Sequence, residues 1–267
     1  MKRNIFWFRR DLRLADNPAL NSAMEQADEI IPIFILDPNL YGSNKRMAYL
    51  ANSLRALDET LDKRLNVFVG DYIEVLKMLI EKYDVDAVHI TEEFEPYGAQ
   101  RDRKVENAGI KLIRTGSPYA VSPGRVKNKE GNNYKVYTPF YNAWMEHGWR
   151  KPAAQVAIKA MAPISREFPN WSTEYVLPEA GEVAALKKWE KFKRSGLDTY
   201  DENRNFADQE GTSRLSVNLK FGEIHPRTLL NQLGTKSGHT IFRKEIAWRE
   251  FYADVLFHNP HTETEYY

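Results

Sequence analysis

Five short apolar runs, at 4–8, 30–36, 65–69, 87–91 and 110–114, limit what this chain can fold into more than any other feature of its sequence. They alternate with stretches of helical spacing at 17–26, 45–63 and 73–83, so each strand returns to the sheet through a crossover, and such βαβ units build a parallel sheet with helices on both faces. In the second of these stretches Met47, Leu50, Leu54, Leu57 and Leu61 step by three or four residues and so form one buried stripe. The expected fold is α/β, with residues 1–130 as an open, doubly wound, Rossmann-like parallel-sheet domain.

After Ser117 the texture changes. Pro118, Pro123, Gly124 and an asparagine-rich stretch at 128–133 precede an aromatic-rich segment at 134–144, and 151–179 is broken by prolines without a strong period. Residues 131–180 read as a long connector that crosses one domain to reach the other. From Gly181 the spacing is helical again, with Ala184, Leu186, Trp189 and Phe192 in register and a further amphipathic stretch at 239–257. Residues 181–267 are therefore expected to be all-α.

A chain of 267 residues with 42% apolar residues can bury a sizeable core. The absence of cysteine excludes a disulfide framework and a thiolate metal site, and no metal ligand set is read. The longest apolar run, 30–36, is far too short to span a bilayer, the start does not resemble a signal peptide, and a cytoplasmic protein is expected. The net charge of +1 carries no argument for a polyanionic partner, but residues 204–249 hold eight Lys/Arg against four acids. That excess suits phosphate contacts and equally suits a solvated, lysine-rich surface.

Three motifs carry most of the chemistry. In Trp7–Leu20 the Asp16-Asn17-Pro18 triplet is explained by a helix cap followed by proline in the first turn, and the segment has no glycine pattern for a pyrophosphate. In Thr212-Ser213-Arg214-Leu215-Ser216 hydroxyls and a guanidinium crowd at a helix start, which suits an anion, although from the residues alone Thr212 or Ser213 as an ordinary cap of a helix from Arg214 is the simpler explanation. On the last stretch Ile241, Glu245, Trp248, Tyr252 and Val255 share a face. There Glu245 either pairs with Arg249 one turn on, or projects with Trp248 into a cavity as a hydrogen-bonding carboxylate beside a stacking surface.

These segments, W-F-R-x-D-L-R-x-x-D-N-P-A-L near the start, T-S-x-L-S at 212–216 and E-x-x-W-R-E-F-Y at 245–252, resemble the DNA photolyase/cryptochrome family of flavoproteins, and most closely the class I-like deoxyribodipyrimidine photolyases. The resemblance implies FAD as cofactor. It gives Tyr200, Thr212, Ser213, Arg214, Leu215, Ser216, Phe242 and Arg249 roles in holding the flavin, makes Glu245 and Trp248 the catalytic pair against a flipped pyrimidine dimer, and makes Arg204 a DNA contact along with them. The implied reaction is light-driven splitting of cyclobutane pyrimidine dimers by an electron from reduced FAD, with damaged DNA as partner and no membrane.

Further expectations follow from the resemblance. Tyr97 and Gly98 stand where some members hold a folate with an asparagine and an acid, so a second, antenna chromophore, folate or deazaflavin, stays unassigned. At Tyr267 a member of the family would be little past the middle of its helical FAD-binding domain. The chain is therefore expected to be truncated, to bind FAD weakly or not at all by itself, and to expose apolar surface on its last helices; completion of the FAD domain by a second polypeptide is an open alternative. Two other readings stay open: a cryptochrome-type blue-light receptor, and a non-catalytic remnant acting as a binding module.

Overall fold

The structure is a computed structural model that describes residues 1–38 and 41–265. Strands β1 (Arg3–Phe8), β2 (Glu29–Leu36), β3 (Asn66–Val69), β4 (Val85–Ile90) and β5 (Leu112–Arg114) form one sheet in the order β3-β2-β1-β4-β5, with every neighbour parallel. Alternate side chains of each strand meet opposite helical layers. Phe6, Phe8, Ile30, Phe34 and Val67 pack on Leu20 and Ala23 of α1 (Pro18–Glu25) and on Leu54 and Leu57 of α2 (Asn44–Thr60). Ile5, Trp7, Ile31, Ile33 and Val88 meet Leu76 and Leu79 of α3 (Tyr72–Tyr83) and Val105 of α4 (Pro96–Asn107). With both faces covered, the strands read as continuous apolar runs, which is why they were visible in the sequence.

The doubly wound sheet expected from the sequence is present, and of the four helices packed on it α4 is the one whose period did not show. It is mostly polar, starts with proline, and places Val105 alone among its apolar residues in the sheet core.

Residues 137–147, inside the span read as connector, instead form helix α5 (Tyr137–His147). Its aromatics Tyr137, Phe140, Tyr141 and Trp144 do follow helical spacing. Pro139 masked that signal, yet it lies in the first turn, where the missing N–H has no partner to lose. Farther along the chain Ile30 pairs with Ala160 and Val67 with Arg166, so this segment caps edges that β2 and β3 would otherwise leave open.

The second half is all helix: α6 (Glu182–Ser195), α7 (Tyr200–Asn203), α8 (Ser216–Phe221), α9 (Pro226–Leu230) and α10 (Ser237–His258), followed by a 3-10 turn at Pro260–Glu263. With α5 these enclose an aromatic core of Phe140, Trp144, Trp189, Phe192, Tyr200, Phe242 and Phe251.

The two halves are joined by buried polar contacts centred on the loop after β1. Asn17 caps α1 through Leu20 N at 3.1 Å, which leaves Asp16 to accept from Arg227 at 2.6 and 3.2 Å and from Ala153 N at 2.8 Å. Glu182 accepts the Leu14 and Ala15 N–H groups at 2.8 and 2.9 Å, and Arg13 donates to the Gly222 carbonyl at 3.0 Å. Glu223, fully buried, accepts from Tyr49 and Ser53 of α2 at 2.8 and 2.6 Å. Gly222 has φ +69°, and a Cβ there would run into the Arg10 backbone. Only glycine permits this approach.

Candidate functional site

The residues singled out in the sequence for flavin and DNA all lie in the helical half, on or just after α7, in the loop before α8, at the start of α8, and on α10. Arg204, just past the four-residue α7, reaches Glu245 on α10 and forms an ion pair with it, and its guanidinium lies 5.6 Å over the Tyr200 ring. The local pairing of Glu245 with Arg249, one of the two alternatives for this carboxylate, is not made. Arg249 points the other way, toward the Pro118 carbonyl at 3.2 Å and over the Tyr119 ring at 4.6 Å, because the helix twist places it at the seam with the sheet half. Burial pulls its pKa down.

The face carrying Ile241, Glu245, Trp248, Tyr252 and Val255 is turned outward, with Tyr252 63% exposed and the others half-buried. Trp248 lies flat against Tyr137 of α5, ring centroids 3.5 Å apart and planes 7° apart. Tyr252 lies alongside the indole at 5.5 Å. Tyr137 had no role in the sequence reading, and only the helical spacing of the 137–144 aromatics could have drawn attention to it.

Tyr200 and Phe242 are buried core residues whose rings meet edge to face at 5.4 Å. Helix α8 begins at Ser216 rather than Arg214 and has no side-chain cap, so Thr212 and Ser213 are loop residues. Arg214 turns that loop with φ +52°, and Leu215 anchors it in the core. Thr212, Arg214 and Ser216 are exposed, Ser213 half so. Gly211 brings the loop against the Asn203 backbone so closely that no side chain fits there.

These residues fit FAD in part. The exposed hydroxyls of Thr212, Ser213 and Ser216 with the Arg214 guanidinium suit its phosphates. Of the other residues expected to hold the flavin, Phe242 and Tyr200 are packed in the core and Arg249 donates to backbone carbonyls.

A second feature lies at the carboxyl ends of β1 and β2, beside β4, where the strand order reverses and open α/β sheets commonly bind ligands. A cavity of about 250 Å³ is lined there by Trp7, Phe8, Phe34, Ile35 and Tyr97, with Phe221 of α8 closing it from the helical half. Behind Trp7, the guanidiniums of Arg9 and Arg101 stand 5.4 and 4.9 Å over the indole. Both pair with Glu93 at 3.4 Å. Burial pushes the Glu93 carboxyl up, but Arg9 and Arg101 outweigh it and hold it below the usual range. Tyr97 donates to Asp37, and a side chain at Gly98 would collide with Glu93.

Glu250 is a residue the sequence reading passed over. Its buried carboxylate accepts from Val121 N at 3.0 Å, from Trp144 Nε1 at 2.7 Å and from Ala120 N. It thereby ties α10 to α5 and to the loop after β5.

Known proteins agree with this architecture. The DNA photolyase family profile matches residues 4–159. A deoxyribodipyrimidine photo-lyase of Synechococcus sp. is 32% identical over 96% of this chain and 60% of its own length. An uncharacterised 31.6 kDa protein from another Synechococcus strain is 32% identical over 93% of this chain and 98% of its own length. Among solved structures, a class III photolyase from Agrobacterium tumefaciens superposes with a TM-score of 0.88 at 31% identity, covering 99% of this chain and 61% of that one. The chain thus spans about 60% of the length of the photolyases it matches. By sequence and by fold alike, it belongs to the DNA photolyase family.

Proposed function

We propose that this chain forms the lesion-facing side of a light-driven DNA repair lyase that acts on cyclobutane pyrimidine dimers. The observation that carries the reading is the outward face of α10, where the Glu245 carboxylate, the Trp248 indole and the Arg204 guanidinium stand side by side. Each suits one part of such a substrate. The indole offers a stacking plane to a base turned out of the duplex, the carboxylate offers a hydrogen bond to a pyrimidine edge, and the guanidinium serves a phosphate. When bound, reduced FAD supplies the light-driven electron chemistry that no side chain here can perform. Thr212, Ser213, Arg214 and Ser216 would hold its phosphates, and a second polypeptide would enclose its ring. The protein would work in the cytoplasm; among the described residues no helix is long and apolar enough to cross a membrane.

The cavity beside Trp7 suits a flat antenna chromophore of the deazaflavin kind better than a folate, because in place of an asparagine and an acid it offers Tyr97, which donates to Asp37, and Gly98, where a side chain would collide with Glu93. The experiment that tests the main reading compares binding of a single-stranded oligonucleotide carrying one thymine dimer with binding of its undamaged twin. Preference for the damaged strand, lost in Trp248→Ala, supports it; equal affinity for both strands would leave the chain as a binding module without lesion recognition. Absorption of the protein after incubation with FAD and gel filtration then tells whether this chain alone retains flavin.

A further inference from the structure

A ring that serves as a stacking plane must be held flat, and on an exposed helix face an indole is free to rotate about two side-chain bonds unless something stops it. Here one face of Trp248 is covered by Tyr137 with centroids 3.5 Å apart and planes 7° apart. Aromatic pairs left to themselves prefer offset or edge-on arrangements at wider separation, so a direct face-to-face pair is held by its surroundings.

Those surroundings are identifiable. Tyr137 Oη donates to the Lys244 carbonyl at 2.8 Å, one turn before Trp248 on the same helix. Phe251 meets both rings edge-on, Tyr137 at 5.9 Å and Trp248 at 5.7 Å. Tyr137 itself opens α5, which is locked to α10 by the buried Phe140 and by Trp144 Nε1 on Glu250 at 2.7 Å. Burial, with Tyr141 and Glu245 nearby, raises the phenol pKa, so the hydroxyl keeps the proton it donates.

We infer that Tyr137 is the positioning residue of Trp248: a fixed backing plate that takes one face of the indole, with the 63% exposed Tyr252 stacked more loosely beside it at 5.5 Å and 26°, and so sets the plane a base meets. The assignment rests on the reading of Trp248 as the stacking surface. It also says which face is used. Displacing Tyr137 would break its hydrogen bond to α10 and pull on a helix anchored in the core, so an incoming base stacks opposite to Tyr137 rather than in its place.

Two measurements on the full chain test this. The first is the fluorine NMR spectrum of protein labelled with 5-fluorotryptophan, in which the line lost in Trp248→Phe identifies this one of the six tryptophans. The Trp248 line should move and broaden in Tyr137→Ala, as the ring current of its neighbour and its single orientation are lost, and return close to its original place in Tyr137→Phe. An unchanged line in Tyr137→Ala would overturn the inference.

The second is the affinity for the dimer-containing oligonucleotide. Loss of one stacked aromatic should weaken it by about threefold to tenfold in Tyr137→Ala, with Tyr137→Phe near wild type and the undamaged strand unaffected. Tighter binding by Tyr137→Ala would mean that the tyrosine occupies the place of the base, and would overturn the backing role. If Trp248→Ala leaves oligonucleotide affinity unchanged, the reading of the site fails instead, and the fluorine spectrum alone decides whether Tyr137 orients the indole. Should Tyr137→Ala lower the thermal midpoint strongly, Tyr137→Leu keeps the bulk and removes the ring, and the same two outcomes apply.

Discussion

Arg227 grips Asp16 with two nitrogens, Nη2 on Oδ1 at 2.6 Å and Nε on Oδ2 at 3.2 Å, and so ties the start of α9 to the loop after β1. Both groups are almost out of water, at 9% and 2% side-chain exposure. Breaking a buried pair from one side leaves an uncompensated charge, so Asp16→Ala should lower stability by about 3 kcal/mol or more. Urea unfolding followed by circular dichroism checks it. A loss below about 1 kcal/mol would mean the seam tolerates water there.

Acid should weaken the fold through histidine. Burial pulls His89 and His225 down from 6.5 to about 4. His225 Nε2 donates to the Ser117 carbonyl at 2.9 Å and Nδ1 accepts from Arg227 N at 3.1 Å, whereas neither ring nitrogen of His89 has a hydrogen-bond partner among the described residues. A base that is harder to protonate when folded binds fewer protons in the native state, so unfolding takes protons up between about 4 and 6.5. Stability is then full above that window and falls as pH drops through it. His89→Leu should flatten the fall, which denaturant midpoints across the window would record; an identical slope in the variant would remove His89 from the account.

The Arg204–Glu245 pair is half exposed, at 32% and 37%, and should contribute less than about 1 kcal/mol to stability. Its weight lies in binding. Arg204→Ala should weaken oligonucleotide affinity with or without a lesion and reduce the salt dependence by about one phosphate contact. Glu245→Gln should release the guanidinium, raising affinity for undamaged strands while lowering the preference for the dimer. Anisotropy titrations at several salt concentrations distinguish the two variants.

Glu250→Ala should strand three donors, the N–H groups of Ala120, Val121 and the Trp144 indole, inside the protein. Each buried group left unpaired costs about 1–3 kcal/mol, so the variant should unfold at much lower urea and expose Trp144 early, visible as quenching of its fluorescence by iodide. Unchanged stability would mean that water reaches those donors.

The strands and the α1–α3 helices were legible because their apolar spacing is a local property that burial on both faces enforces. What stayed hidden was set by distant partners. Glu245 has Arg249 one turn away in sequence, yet its partner lies 41 residues back, because the twist of α10 carries Arg249 to the seam. Glu250 looked like one more polar helix residue, and only the approach of Ala120, Val121 and Trp144 makes it a buried anchor. Tyr137 was lost with its helix, since Pro139 hid a period that a first-turn proline does not interrupt. The motif residues were named from family resemblance; that Tyr200 and Phe242 face the core is a matter of packing that no motif encodes.

The joints between the two halves link residues far apart along the chain: Ala15 to Glu182 across 167 positions, Tyr49 to Glu223 across 174 and Asp16 to Arg227 across 211. A ribosome releases the amino end first, so the loop after β1 emerges with Asp16 and bare backbone N–H groups long before any acceptor or guanidinium exists to meet them. The sheet can assemble during that wait and hold the loop through Asp11, Thr91 and Asp102, but Asp16 lacks its guanidinium partner until α9 has left the exit tunnel. Maturation is then paced by translation rather than by local helix or strand formation, and a nascent chain arrested before Arg227 would offer proteases this loop as its open end.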